Sequence, residues 1–244
     1  MNLSNKIFFR YFIILLLLLS VTDLRGMKLL RTIDTGHQAV FCTYRDHSGM
    51  LWVGTSSGLM SYPQLTSSMP ASYLRPLPLS NIIVKICEDN LGRLWLRTQA
   101  NRAVVYDSRT NGCIDDVEHY LQQHGVKMWY EMLFDADETG RLWFYKDNHL
   151  IIHNFANSRQ WQGYAPRQAG RIVDVVCLRQ YTYVVCEQTI FKVTLSGNRL
   201  AWAFVAKTPK RLPYMSTFMI EDNAHNLWLR VNDTLARWDR QTHR

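Results

Sequence analysis

The feature that most constrains this 244-residue chain is an aspartate standing six residues before a tryptophan, four times over. The copies run from Asp46 to Trp52, Asp89 to Trp95, Asp137 to Trp143 and Asp222 to Trp228, and each tryptophan is preceded by a leucine: Leu51, Leu94, Leu142 and Leu227. A glycine stands fourth in the first three copies, at Gly49, Gly92 and Gly140, and His225 takes that place in the last. Each motif follows a β-rich apolar run, such as residues 82–87, and opens another. Two β-rich runs around a short polar cluster are a hairpin. In its turn the Asp side chain can accept a hydrogen bond from the backbone two residues on, and the Gly supplies positive φ.

A third run follows in each unit, at residues 59–62, 103–107 and 150–154, so the unit is at least a three-stranded antiparallel meander. The tryptophans are spaced by 43, 48 and 85 residues, and the last gap is two periods long. Residues 179–193 fill it with a degenerate copy in which Tyr183 replaces Trp, at spacings of 40 and 45. Repeats of roughly 40 to 50 residues with four strands each belong to β-propellers. The expected fold is therefore all-β, a propeller of about five blades of three to four antiparallel strands, with blades near 39–80, 81–127, 128–170, 171–212 and 213–244. Only the stretch 110–127 has helical spacing, through Ile114, Val117 and Leu121, and it predicts a short amphipathic helix.

The first copy reads Asp46, Gly49, Leu51, Trp52, Gly54, Thr55, Gly58, Leu59 and Tyr62. It resembles the two-component regulator propeller repeat of the periplasmic sensor region of Bacteroidetes hybrid two-component proteins. The second copy keeps Asp89, Gly92, Leu94, Trp95, Thr98 and Tyr106 but has Arg97 and Asn101 at two glycine positions; later copies retain mainly Asp, Leu and Trp. The resemblance spans about residues 34–244. It implies a non-catalytic, ligand-sensing domain that responds to a glycan-derived ligand such as an oligosaccharide, here without the kinase and DNA-binding parts, and homodimeric in the full-length parent. The chain then reads as an N-terminal piece of such a sensor, its blades either a ring closed by pairing residues 28–33 with 235–238 or an open arc of a larger propeller.

Residues 1–26 read as a signal peptide or membrane anchor ahead of a propeller domain at 27–244. Lys6 and Arg10 precede the uncharged run 11–22, which is too short for the ~20 apolar residues of a spanning helix. The expected location is the periplasm, exported or anchored in the inner membrane. The formal net charge is +8, but the Lys and Arg are scattered, so no nucleic-acid stripe forms. Five cysteines show no C-x-x-C and no metal-like spacing with the eight histidines; neither metal nor cofactor is expected. If one disulfide forms, Cys177 with Cys186 is the candidate pair.

No catalytic residue is assigned. There is no G-x-S-x-G, H-E-x-x-H or P-loop, and Asp115, Asp116, Glu118 and His119 read as a solvated helix face. The aromatics outside the repeat motif, Trp129, Tyr130, Trp161 and Tyr164, are the candidates for stacking on sugars, against rim or blade packing. A protein-interaction scaffold and a propeller lyase or hydrolase are the alternatives, because function on this fold sits in loops rather than in the scaffold.

Overall fold

The computed structural model describes residues 38–63, 72–73, 82–127, 133–178, 180–208, 217–222, 226–231 and 234–238. Among these, strands in chain order form five small antiparallel sheets. The first holds β1 (Val40–Arg45), β2 (Leu51–Thr55), β3 (Gly58–Tyr62) and β4 (Ser72–Tyr73); the second holds β5 (Ile83–Glu88), β6 (Leu94–Thr98), β7 (Ala103–Asp107) and β8 (Gly112–Ile114). The third holds β9 (Leu133–Ala136), β10 (Leu142–Lys146), β11 (His149–Asn154) and β12 (Arg159–Tyr164). The fourth holds β13 (Ile172–Cys177), β14 (Thr182–Cys186), β15 (Thr189–Ser196) and β16 (Arg199–Lys207). In the fifth, β17 (Thr217–Glu221), β18 (Leu227–Val231) and β19 (Thr234–Trp238) are described. Every sheet is a plain meander, and the first strands of successive sheets adjoin one another. The result is a five-bladed β-propeller, as the repeat spacing predicts. Residues 28–33 lie outside the described residues.

The six-residue spacing has a physical cause. In each of the four motifs the Asp Oδ2 accepts a hydrogen bond from the tryptophan Nε1, at 2.7 Å for Asp46, 2.8 Å for Asp89 and Asp137, and 2.9 Å for Asp222. Oδ1 accepts from the backbone N–H two residues on in the first three copies, and from the N–H four residues on in all four. One carboxylate thus closes the turn and fixes the indole of the next strand. The second and third motifs add an arginine, with Arg93 Nε at 2.8 Å from Asp89 Oδ2 and Arg141 Nε at 2.7 Å from Asp137 Oδ2.

Three of the four fixed indoles pack on the following blade, as does Tyr183 in the degenerate repeat. Trp52 meets Tyr106 of blade 2 edge-on, and Trp95 meets Phe134, Phe144 and Phe155 of blade 3. Trp143 shares a cluster with Ile172, Val175 and Val184 of blade 4, and Tyr183 shares one with Met219, Leu227 and Leu229 of blade 5. Tyr183 is the second residue of its strand, as the tryptophans are of theirs, and it is buried. Gly54 serves the same junctions by absence of bulk, because a Cβ there would lie 2.7 Å from the Ile83 carbonyl oxygen of blade 2.

The helix α1 (Val117–Gln123) is where the periodicity puts it, with Val117 and Leu121 buried. Asp116 caps it, accepting from His119 N at 3.0 Å, and Tyr120 stacks on Phe155 of blade 3. The proposed disulfide is not formed: all five cysteines are free. Cys177 pairs with Thr182, while Cys186 pairs with Ile172 at the far end of the same ladder. Four residues of strand separate them by roughly 13 Å, beyond the ~7 Å that a disulfide tolerates.

Candidate functional site

Two ends of the blades offer different chemistry. At one end lie the aspartate turns, which dock on one another. Asn90 N–H donates to the Gly140 carbonyl at 3.0 Å, joining the turns of blades 2 and 3. Between blades 1 and 2, buried Glu88 accepts from His47 N at 3.0 Å and from the Tyr44 hydroxyl at 3.4 Å, and its other oxygen meets His47 Nδ1. That hydrogen bond to Glu88, together with its charge, raises the pKa of the exposed His47 ring above 6.5. An open crevice of about 760 Å³ runs over these turns, past Leu91, Arg109 and Glu138.

Inside, a polar cluster joins blades 2, 3 and 4. Lys85 Nζ lies 3.2 Å from Asp135 Oδ2, which also accepts from Cys177 N at 3.2 Å; the Tyr145 hydroxyl donates to Asp174 Oδ1 at 2.8 Å. Burial works against the Lys85 charge, but the Asp135 and Asp174 carboxylates outweigh it and hold its pKa above 10.5. Burial, then Asp174, pushes the Tyr145 phenol well above 10. Burial, then Asp135, does the same to the Cys87 and Cys177 thiols, which stay neutral and poorly nucleophilic. Arg97 and Tyr145 occupy the place that Gly54 holds in blade 1, two residues after the motif tryptophan. The cluster ties the blades together through one ion pair and two hydrogen bonds.

At the opposite end, after β10, sits an exposed aromatic platform. Tyr164 is 65% exposed and stacks on His149, with ring centroids 4.5 Å apart and planes at 20°. Lys146, Asp147 and Asn148 of the β10–β11 turn complete a shallow cavity of about 240 Å³. Burial lowers the His149 pKa below 6.5, so that ring is neutral at pH 7.

The other sequence candidates fare differently. Trp161 is buried: its indole donates to the Gly197 carbonyl of blade 4 at 2.8 Å, and the Arg159 guanidinium covers the ring at 4.7 Å. Trp129 and Tyr130 lie outside the described residues. Asp115 and Asp116 hydrogen-bond the backbone at the start of α1, and His119 bonds Gln123, so these residues hold a helix end. Among the described residues no group of three or more His, Cys, Asp or Glu is arranged to hold a metal. None of their helices is long and apolar enough to cross a membrane. The interior cluster has no signature in the sequence beyond polar residues within β-rich runs.

The fold and these faces define a five-bladed propeller with an exposed aromatic patch at one end of blade 3. Two similar solved structures are extracellular domains of hybrid two component systems from B. thetaiotaomicron. That of BT4673 is 16% identical over 84% of this chain and 28% of its own length, with a TM-score of 0.59; that of BT3049 is 14% identical over 87% and 30%, with a TM-score of 0.61. Virginiamycin B lyase from Staphylococcus aureus, solved with quinupristin, is 13% identical over 82% of this chain and 67% of its own, at a TM-score of 0.55. At such identities the likeness is one of fold. The chain spans less than a third of either extracellular domain. No protein-family model and no curated protein matches it.

Proposed function

We propose that this propeller is a non-catalytic, extracytoplasmic ligand-sensing domain of the hybrid two-component kind, and that its ligand is a glycan-derived oligosaccharide. The observation that carries the reading is the Tyr164–His149 platform. A neutral aromatic pair, open on one side and ringed by an ammonium, a carboxylate and an amide, matches the apolar face and hydroxyl edge of a sugar ring. The fold likeness to two extracellular domains of hybrid two component systems supports the sensing role, and the secretory character of residues 1–26 supports the location. The lyase shares the same scaffold, so the fold does not choose between binding and turnover; the engagement of the interior acids in ties between blades supports binding. Glu88, Lys85, Asp135, Asp174 and the motif aspartates are engaged in ties between blades or in turns.

The test is calorimetric titration with bacterial and plant glycan fragments. Tyr164→Ala is expected to weaken binding about ten-fold or more, equivalent to ~1.4 kcal/mol, without changing the melting temperature. Unchanged affinity in that variant removes the platform from the account. A second reading, a protein-interaction scaffold, draws on the nine-residue β16, outermost of its sheet among the described residues, and its Phe204, 63% exposed, since a long sheet edge can accept a partner's strand. Binding to a protein but to no glycan would favour it.

A further inference from the structure

The repeat breaks at one turn, and a cavity opens beside the break. In blades 1, 2, 3 and 5 the aspartate N–H closes the turn on a carbonyl four residues on, from Asp46 to Met50, Asp89 to Arg93, Asp137 to Arg141 and Asp222 to Asn226. In blade 4 the Leu178 N–H reaches the Tyr181 carbonyl three residues on, at 2.9 Å. This turn is one residue shorter and has no aspartate at its head. Between it and the Asp137–Arg141 turn of blade 3 lies a cleft of about 300 Å³, at the small end of the ~300–1,000 Å³ typical of small-molecule sites.

We propose that this cleft binds one neutral, hydroxyl-rich ring of a glycan, as a contact separate from the Tyr164 platform. Tyr181 and Leu178 supply an apolar wall, and Lys192 Nζ sits 3.7 Å from the Tyr181 ring centroid, holding that ring in place. Trp143 forms part of the floor; its Nε1 is already bonded to Asp137 at 2.8 Å, so it offers the cleft only apolar surface. Exposed Glu138, Gln180 and Thr194 surround the opening with acceptors and donors suited to sugar hydroxyls.

Among the described residues that line the cleft, Arg141 offsets one of two carboxylates. Arg141 neutralises Asp137 across 2.7 Å, and Glu138 stands as a second carboxylate at the opening. An anionic ligand therefore gains little here, whereas a ring with an apolar face and a hydroxyl edge is matched on both. The cleft lies before β10 and the platform after it, so the two sites occupy opposite ends of blade 3. The inference rests on the reading that the propeller binds glycans, but not on the platform.

The experiment is calorimetry on the full chain with cellobiose, mannobiose, xylobiose and, as an acidic counterpart, digalacturonate. It compares the wild type with Glu138→Ala, Tyr181→Ala, Thr194→Trp and Tyr164→Ala, all checked by melting temperature. Glu138 and Thr194 are exposed, so changes there leave the blade core intact. The proposal expects a neutral disaccharide to bind, with affinity about ten-fold weaker in Glu138→Ala or Tyr181→Ala and no binding at the cleft in Thr194→Trp. Tyr164→Ala should leave that component unchanged. Binding that survives all three cleft changes and disappears in Tyr164→Ala overturns the cleft and leaves the glycan reading standing. Preference for digalacturonate overturns the neutral ligand class, and no binding of any disaccharide overturns the cleft together with the glycan reading.

Discussion

At the scale of single residues, the aspartate of each motif does more than its turn position foretells. Its place was legible because a fixed Asp Oδ2 to Trp Nε1 bond demands a fixed spacing; the arginine that joins it in blades 2 and 3 was not, since nothing in one copy marks Arg93 or Arg141 as a partner. The difference is measurable. Asp89→Ala strands a buried arginine and a buried indole and should cost ~3–5 kcal/mol in urea unfolding. Asp46→Ala, whose motif has Met50 where Arg93 stands, should cost about 1–3 kcal/mol. Equal costs would contradict the role given to Arg93. His153, fully buried beside Phe155 and His124, predicts a pH dependence. Burial, with His124 adding to it, lowers its pKa below 6.5. Above that pH the ring is neutral whether the chain is folded or unfolded; below it the unfolded chain takes up the proton first, so stability falls as pH drops below 6.5. His153→Leu should flatten that fall. His47 acts in the opposite sense, because its raised pKa adds stability at low pH that is lost as pH rises through the folded value. His47→Gln should therefore steepen the acid loss.

At the scale of elements, strands and helix α1 were visible because their periods differ, 2 against 3.6, and the hidden fourth repeat because Tyr183 keeps the spacing. What periodicity does not carry is register. The β13–β14 ladder slips by one residue between Ile172 and Asp174, and the pairing puts Cys177 and Cys186 at opposite ends, so two cysteines on neighbouring strands stay thiols. Contact between turns was equally invisible. Gly140, at φ +70°, lies so close to the backbone of Asn90 that any Cβ would overlap it, whereas Gly125, at φ +72°, has nothing within 4 Å. Gly125→Ala should thus cost only its backbone strain, ~1–2 kcal/mol. Gly140→Ala should add an overpacking cost of ~1–3 kcal/mol by separating the turns of blades 2 and 3. Indistinguishable midpoints in urea would show that the turns do not bear on each other.

At the scale of the whole molecule, the repeat was enough to read a propeller, and the sites were not, because each is assembled from blades that share no local signal. Lys85, Asp135, Tyr145 and Asp174 come from three blades and meet only once the blades are stacked. Tyr164 was legible as an aromatic outside the motif; that Trp161, three residues earlier, faces blade 4 instead of solvent depends on Gly197 and Arg159 and could not be read from spacing. The central claim is that this fold binds a glycan reversibly and does not transform it. The most direct test is to titrate the intact protein with a glycan fragment in the calorimeter and then analyse the recovered fragment by mass spectrometry. The account predicts a saturable heat and a fragment of unchanged mass. A cleaved or eliminated product would contradict it and point to an enzyme.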